Sequence, residues 1–157
     1  MINNKYFRVN WVLINELAIG PAPINQKHLG ILYDLGIKGI FSLCSTKEVP
    51  SHNDMLNIFE FRRFVLPDHK TGRIISTEEL ISSLAVLEDL KRRGPVFIHC
   101  VAAMERSPLV CISWLIKKHK LSLDESLSYL MQAHSGTNPL PEQLNVLRSQ
   151  EFINAII

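Results

Sequence analysis

The segment Val96-Phe97-Ile98-His99 is a short apolar run, too brief for a helix and rich in β-forming side chains, and a helical pattern begins at Arg106 and continues through Ile112, Leu115 and Ile116. A strand that feeds a helix through a short loop is half of a βα unit, and repeated units of this kind build a parallel sheet. The rest of the chain repeats the alternation. Residues 11–19 read as one or two short strands, ended by Pro21-Ala22-Pro23. Residues 25–35 carry apolar side chains at helical spacing, with Gly36 as the glycine just past the helix end. Residues 39–44 form a buried strand, and residues 60–66 another, closed by Pro67-Asp68.

Ser76-Thr77-Glu78-Glu79 is a capping box that opens a helix through Leu80, Leu84, Leu87 and Leu90, stopped by Gly94-Pro95. Ser122 to Glu125 is a second capping box, for a helix to about Ala133, and a last helix starts near Pro141. These elements predict an α/β fold with a central, largely parallel (mixed) sheet of four to five strands flanked by helices. At 157 residues the expectation is a single domain over 1–157.

The loop between the 96–99 strand and its helix is His99-Cys100-Val101-Ala102-Ala103-Met104-Glu105-Arg106-Ser107. A loop entering a helix N-terminus presents a row of backbone N–H groups and a positive dipole end, which together make an anion site. Here a thiol opens the loop and a guanidinium, six residues on, closes it. Arg106 can hold two oxygens of a phosphate at once. The backbone of Val101, Ala102, Ala103, Met104, Glu105 and Arg106 supplies the phosphate-binding cradle. A free thiol is only a few per cent thiolate at neutral pH, and a helix N-terminus with a nearby cation lowers a cysteine pKa to about 3.5–7.5. Ser107 adds a hydroxyl hydrogen bond to the sulfur. Cys-x5-Arg alone occurs by chance in about one such sequence in seven; His before and Ser or Thr after make it roughly one in a few thousand.

The pattern His99-Cys100-x5-Arg106-Ser107 resembles the signature of the protein tyrosine phosphatase superfamily. Leu66-Pro67-Asp68-His69 resembles the general-acid loop of its compact dual-specificity branch, and Asn138-Pro139-Leu140-Pro141-Glu142-Gln143-Leu144 resembles that branch's late Asn-Pro-x-x-x-Gln-Leu element. Leu17-Ala18-Ile19-Gly20 and Ile40-Phe41-Ser42-Leu43 resemble its opening strands. The resemblance implies a cysteine-dependent phosphatase acting through a phosphocysteine intermediate on phosphotyrosine, and on phosphoserine and phosphothreonine as well. Cys100 would be the nucleophile, Arg106 the phosphate ligand, Asp68 the general acid and Ser107 the thiolate partner. His99, Asn138 and Gln143 would support the loop from behind, Asn138 as the cap of the last helix. Cys44 matches a resolving cysteine of some members and is a candidate redox partner.

The chain departs from the resemblance at three places. Ala103 stands where the family has glycine, at a strain of about 1 kcal/mol if its φ is positive. Thr71-Gly72 replaces a proline after the acid loop, and Glu105 puts an acid inside an anion loop. The alternatives are another cysteine anion-loop enzyme (a sulfur transferase or arsenate reductase) and an inactive phosphate-binding module.

Net charge is +2, too mild to call for a nucleic-acid partner. The basic runs 91–93 and 117–120 follow apolar-periodic stretches and read as cations at helix ends. The start Met-Ile-Asn-Asn-Lys has no apolar targeting core, no run is long enough to span a membrane, and the three cysteines Cys44, Cys100 and Cys111 form no disulfide framework. A cytoplasmic monomer without cofactor or metal is expected, acting on a phosphorylated protein or a small aryl phosphate, with no nucleic-acid or membrane partner. His28, His52, His119 and His134 show no metal spacing, and Trp114 and Met104 read as core.

Overall fold

The chain forms a five-stranded mixed sheet in the order β1-β2-β5-β3-β4. The computed structural model describes residues 7–51 and 53–157, so the first six residues and His52 lie outside the description. The strands are β1 Asn10–Leu13, β2 Leu17–Gly20, β3 Gly39–Ser42, β4 Glu60–Arg63 and β5 Val96–His99. The helices are α1 Gln26–Asp34, α2 Asn53–Ile58, α3 Thr77–Lys91, α4 Arg106–His119, α5 Leu123–Ala133, α6 Pro141–Arg148 and α7 Gln150–Ile156. Only β1 runs antiparallel, to β2; the other pairings are parallel.

Strand alternation sends neighbouring side chains to opposite faces of the sheet. Leu17, Ile19, Phe41, Val96 and Ile98 enter one buried cluster with side chains from α3, α4, α5, α6 and α7. Ala18, Ile40 and Phe97 enter a second cluster with Leu29 and Leu32 of α1 and Met55 of α2. Lys91 lies in the last turn of α3, and Lys117, Lys118 and His119 in the last turn of α4, as the basic runs predicted. No helix among the described residues is long and apolar enough to cross a membrane.

Both predicted capping boxes are present, at Ser76/Glu79 and Ser122/Glu125. Gly36 has φ +83°, as its place after α1 requires. Gly20 is needed for space, because a Cβ there would lie 2.7 Å from the Arg8 carbonyl. Two elements depart from the sequence reading. Helix α2 was not predicted, and the final helix divides at Ser149, whose side chain accepts from Phe152 N and starts α7.

Strand β5 is the last strand made and lies between β2 and β3. The connection through α1 covers one face of the sheet and the return through α3 covers the other. The carboxyl end of β5 is therefore a switch point, where an open α/β sheet leaves a crevice. Cys100 is the next residue.

Candidate active site

The loop of residues 100–105 is held from outside by its carbonyl oxygens. Cys100 O accepts from His99 Nδ1 at 3.0 Å and Val101 O from Ala22 N at 3.2 Å. Ala103 O accepts from His134 Nε2 at 2.7 Å and Met104 O from Asn138 N at 2.8 Å. The amide N–H groups of residues 101–105, by contrast, find no protein acceptor among the described residues. Unengaged N–H groups beside a helix N-terminus are the donors of an anion cradle. The hollow they border is about 180 Å³ and is lined by Cys100, Val101, Ala102, Met104, Glu105 and Arg106 on one side and by Asp68, His69 and Lys70 on the other. A larger cleft of about 680 Å³ adjoins it along residues 65–68 and shares Asp68, Lys70 and Val101.

Cys100 is buried, and its Sγ lies 3.2 Å from the buried Ser107 Oγ. Arg106 is 3% exposed, so the contacts of its guanidinium decide where its charge acts. Its Nη1 donates to Glu48 Oε1 at 3.2 Å and Leu66 O at 3.2 Å, with Leu43 O at 3.5 Å. Its Nη2 donates to Glu48 Oε2 at 2.7 Å and lies 3.4 Å from Asp68 Oδ2. The Nε–H has no protein partner among the described residues. The hydrogen bond from Arg106 holds the Glu48 carboxyl below its ordinary range. Burial works against the charge of Arg106, and the hydrogen bond to Glu48 together with the neighbouring Cys100, Cys44 and Glu48 groups outweighs it.

Asp68 caps the 3-10 turn His69–Thr71, its Oδ1 accepting from Lys70 N at 2.8 Å. Ala103 has φ +57°, so the strain foreseen for a Cβ at this position is real and costs about 1 kcal/mol. The hydrogen bond from His134 fixes the strained residue in place. His134 Nδ1 lies 2.8 Å from Asn10 Nδ2, which makes Nδ1 the acceptor and Nε2 the donor.

Several residues fall elsewhere than the sequence suggested. Asn138 does not cap the last helix: the residue before α6 is Leu140, whose N–H donates to Gln143 Oε1, and Asn138 instead uses its own N–H to hold the loop. Gln143 is buried at that helix start and does not line the cradle. Met104 is 45% exposed and lines the hollow rather than the core. Cys44 is buried in the same cluster as Cys100, and burial pushes its thiol up to about 12, so it is neutral at physiological pH. Glu48 and His134 escaped notice as members of the site. Glu48 lies 58 positions from Arg106 and His134 lies 31 from Ala103, with no local motif to join them.

His99 is buried, and that burial pulls its imidazole down to about 4 against the Cys100 hydrogen bond. Its folded value lies below the ordinary 6.5, so the unfolded chain binds more protons in between and stability falls with falling pH over that window. The loss amounts to about 3 kcal/mol between pH 6.5 and 4. Urea unfolding of the wild type and His99→Asn at pH 7 and 4.5 checks this. The wild type should lose more stability on acidification than the variant, and equal losses would contradict it.

A family model described as "Dual specificity phosphatase, catalytic domain" matches residues 25–152. Among curated proteins, the dual specificity protein phosphatase 1 of Mus musculus is 26% identical over 128 residues, covering 81% of this chain and 33% of that protein. The dual specificity protein phosphatase PHS1 of Arabidopsis thaliana is 28% identical over 109 residues, 69% of this chain and 12% of that protein. The chain thus matches a third or less of the length of these two relatives. Among solved structures, Tk-PTP in its active form superposes with a TM-score of 0.77 at 24% identity, covering 91% of this chain and 95% of that one.

Proposed function

This chain belongs to the dual-specificity phosphatase catalytic-domain family, and we propose that it hydrolyses phosphate monoesters on proteins through a phosphocysteine intermediate. The observation that carries the reading is the placement of the Cys100 sulfur, 3.2 Å from the Ser107 hydroxyl, in a hollow bordered by the unengaged N–H groups and by Arg106. In the first step Cys100 Sγ attacks phosphorus, an S–P bond forms, and the ester P–O bond breaks. Asp68 gives its proton to the leaving oxygen. The Nε–H of Arg106, with the Nη2–H that faces Asp68, offers two donors to the phosphoryl oxygens, while Glu48 keeps the fork in plane from behind. In the second step water attacks phosphorus, Asp68 takes its proton, and the S–P bond breaks to phosphate and thiolate. Ser107 donates to the departing sulfur. The family match does not favour the sulfur-transferase and arsenate-reductase readings.

All five strands share one sheet, which supports reading the described residues as one domain. Three free cysteines suit a reducing compartment such as the cytoplasm. Phosphorylated proteins are the proposed substrates in preference to phosphoinositides, because residues 101–104 offer no cation. A second phosphate about 8 Å from one favourable charge would gain roughly 2 kcal/mol before salt screening, and the loop supplies no such charge. Measured at fixed ionic strength, kcat/KM should favour a phosphotyrosine peptide over a soluble phosphoinositide by about tenfold or more, which is about 1.4 kcal/mol. A preference for the lipid would overturn the substrate assignment, and turnover of neither would overturn the phosphatase reading.

A further inference from the structure

Glu105 is an acid in a loop that has to receive an anion, and its side chain is already engaged. Its Oε2 lies 3.0 Å from Nδ1 of His69, and the same Nδ1 lies 3.2 Å from Oδ1 of Asp68. One imidazole nitrogen thus sits between two carboxylates, one on the acid loop and one at the last position before Arg106. The Nδ1–H of His69 donates to the Glu105 carboxylate and lies within reach of Asp68 Oδ1. A hydrogen bond through the His69 ring thus joins the acid loop to the residue before Arg106.

The segment that carries Asp68 is tied down at Leu66, whose backbone accepts from Arg106 Nη1 and donates to Leu43 O, and at Arg73, which pairs with Glu79, but few of its side chains reach the cradle. Leu66 and Pro67 are buried, but residues 69–74 are exposed, and the turn ends at Gly72 with φ +73°. Among the described residues, the side-chain contacts that reach from residues 68–74 to the cradle are the Asp68–Arg106 approach at 3.4 Å and the His69–Glu105 pair. The first is the contact that a phosphate displaces when it takes Arg106 Nη2. The second is made at the rim and survives that displacement. The other charged groups lining the hollow are Lys70 and Arg106, and neither bonds to Glu105.

We propose that Glu105 is a positioning residue for proton donation: through His69 it clasps the acid loop to the cradle and keeps the Asp68 carboxyl over the leaving-group oxygen once phosphate has occupied Arg106. This rests on the phosphatase reading and on Asp68 as its acid. It also removes the conflict of an acid in an anion loop, since the charge of Glu105 is spent on His69 rather than turned to the phosphate. The consequence is selective. A leaving group that departs unprotonated has little need of the clasp, and an alkoxide needs it fully. The clasp therefore extends the enzyme's reach towards alkyl esters of the phosphoserine type.

The experiment compares kcat/KM for an activated aryl phosphate and for an alkyl phosphate in a phosphoserine peptide. Wild type, Glu105→Gln, His69→Ala, Asp68→Asn and the double variant Glu105→Gln/Asp68→Asn are used. Glu105→Gln and His69→Ala should each lose about tenfold more on the alkyl ester than on the aryl ester. On the alkyl ester the double variant should be no more than about twofold worse than Asp68→Asn, because a clasp with no acid to position has no further effect. Equal losses on both esters, or losses that multiply in the double variant, would overturn the clasp. Aryl ester turnover by the wild type tests the phosphatase reading separately, so failure of the one is distinguishable from failure of the other.

Discussion

Cys100→Ser is expected to lower kcat on an aryl phosphate by about 10⁵-fold or more, the loss typical of removing an enzyme's nucleophile. The substitution changes one atom at the floor of the cradle and leaves its donors intact. A serine hydroxyl is far harder to ionise than a thiol, and neither the helix N-terminus nor Ser107 can bring it to an alkoxide near neutral pH. The carbonyl contacts from Ala22, His134 and Asn138 do not involve the side chain at position 100. The variant should therefore still bind inorganic phosphate or a tungstate analogue within a few-fold of the wild type, as titration calorimetry can show. Loss of turnover with binding retained assigns chemistry to the sulfur. Retained turnover would move the nucleophile elsewhere.

Arg106→Lys is expected to cost about 10³-fold in kcat/KM, although the charge is conserved. The guanidinium serves two anions at once. Its Nη1 and Nη2 are taken by the two oxygens of Glu48, at 3.2 and 2.7 Å, and what remains is a pair of N–H groups for the phosphoryl oxygens. An ammonium is a point charge and cannot span both. It would sit either against Glu48 or towards the phosphate, and the buried carbonyls of Leu43 and Leu66 would lose a donor in either case. Much of the loss should fall on kcat, because the planar fork matches the transition-state oxygens better than the ground state. A lysine variant within tenfold of the wild type would show that charge alone, and not the fork, does the work at this position.

The fold was legible where local chemistry decides it. The apolar run 96–99, the two capping boxes and Gly36 each name an element by its own residues, and the structure has those elements. Helix α2 was not legible, because Asn-Asp-Met-Leu-Asn-Ile is short and poor in helix formers, and only Met55 is buried to hold it. The break at Ser149 escaped because the third residue after it is Phe152 rather than Glu or Gln, so no capping box marks the start. The same division runs through the site. Cys100, Arg106 and Ser107 were found because one loop carries them in a fixed spacing. Glu48 and His134 were not, because their partners come from other strands and helices and only the folded chain brings them together. The reading of Asn138 as a cap failed for a related reason: the helix start is served by Gln143 from within α6, which leaves the Asn138 amide to brace the loop.

The most direct test of the central claim is to trap the intermediate. Wild type is mixed with an excess of an activated aryl phosphate, quenched in acid within the first turnover, and digested for peptide mass mapping. One phosphoryl group is predicted on the sulfur of Cys100, formed in step with the released phenol and absent from Cys100→Ser. A first-turnover burst of phenol with no phosphoryl group on Cys100, or a phosphoryl group on any other residue, would contradict it.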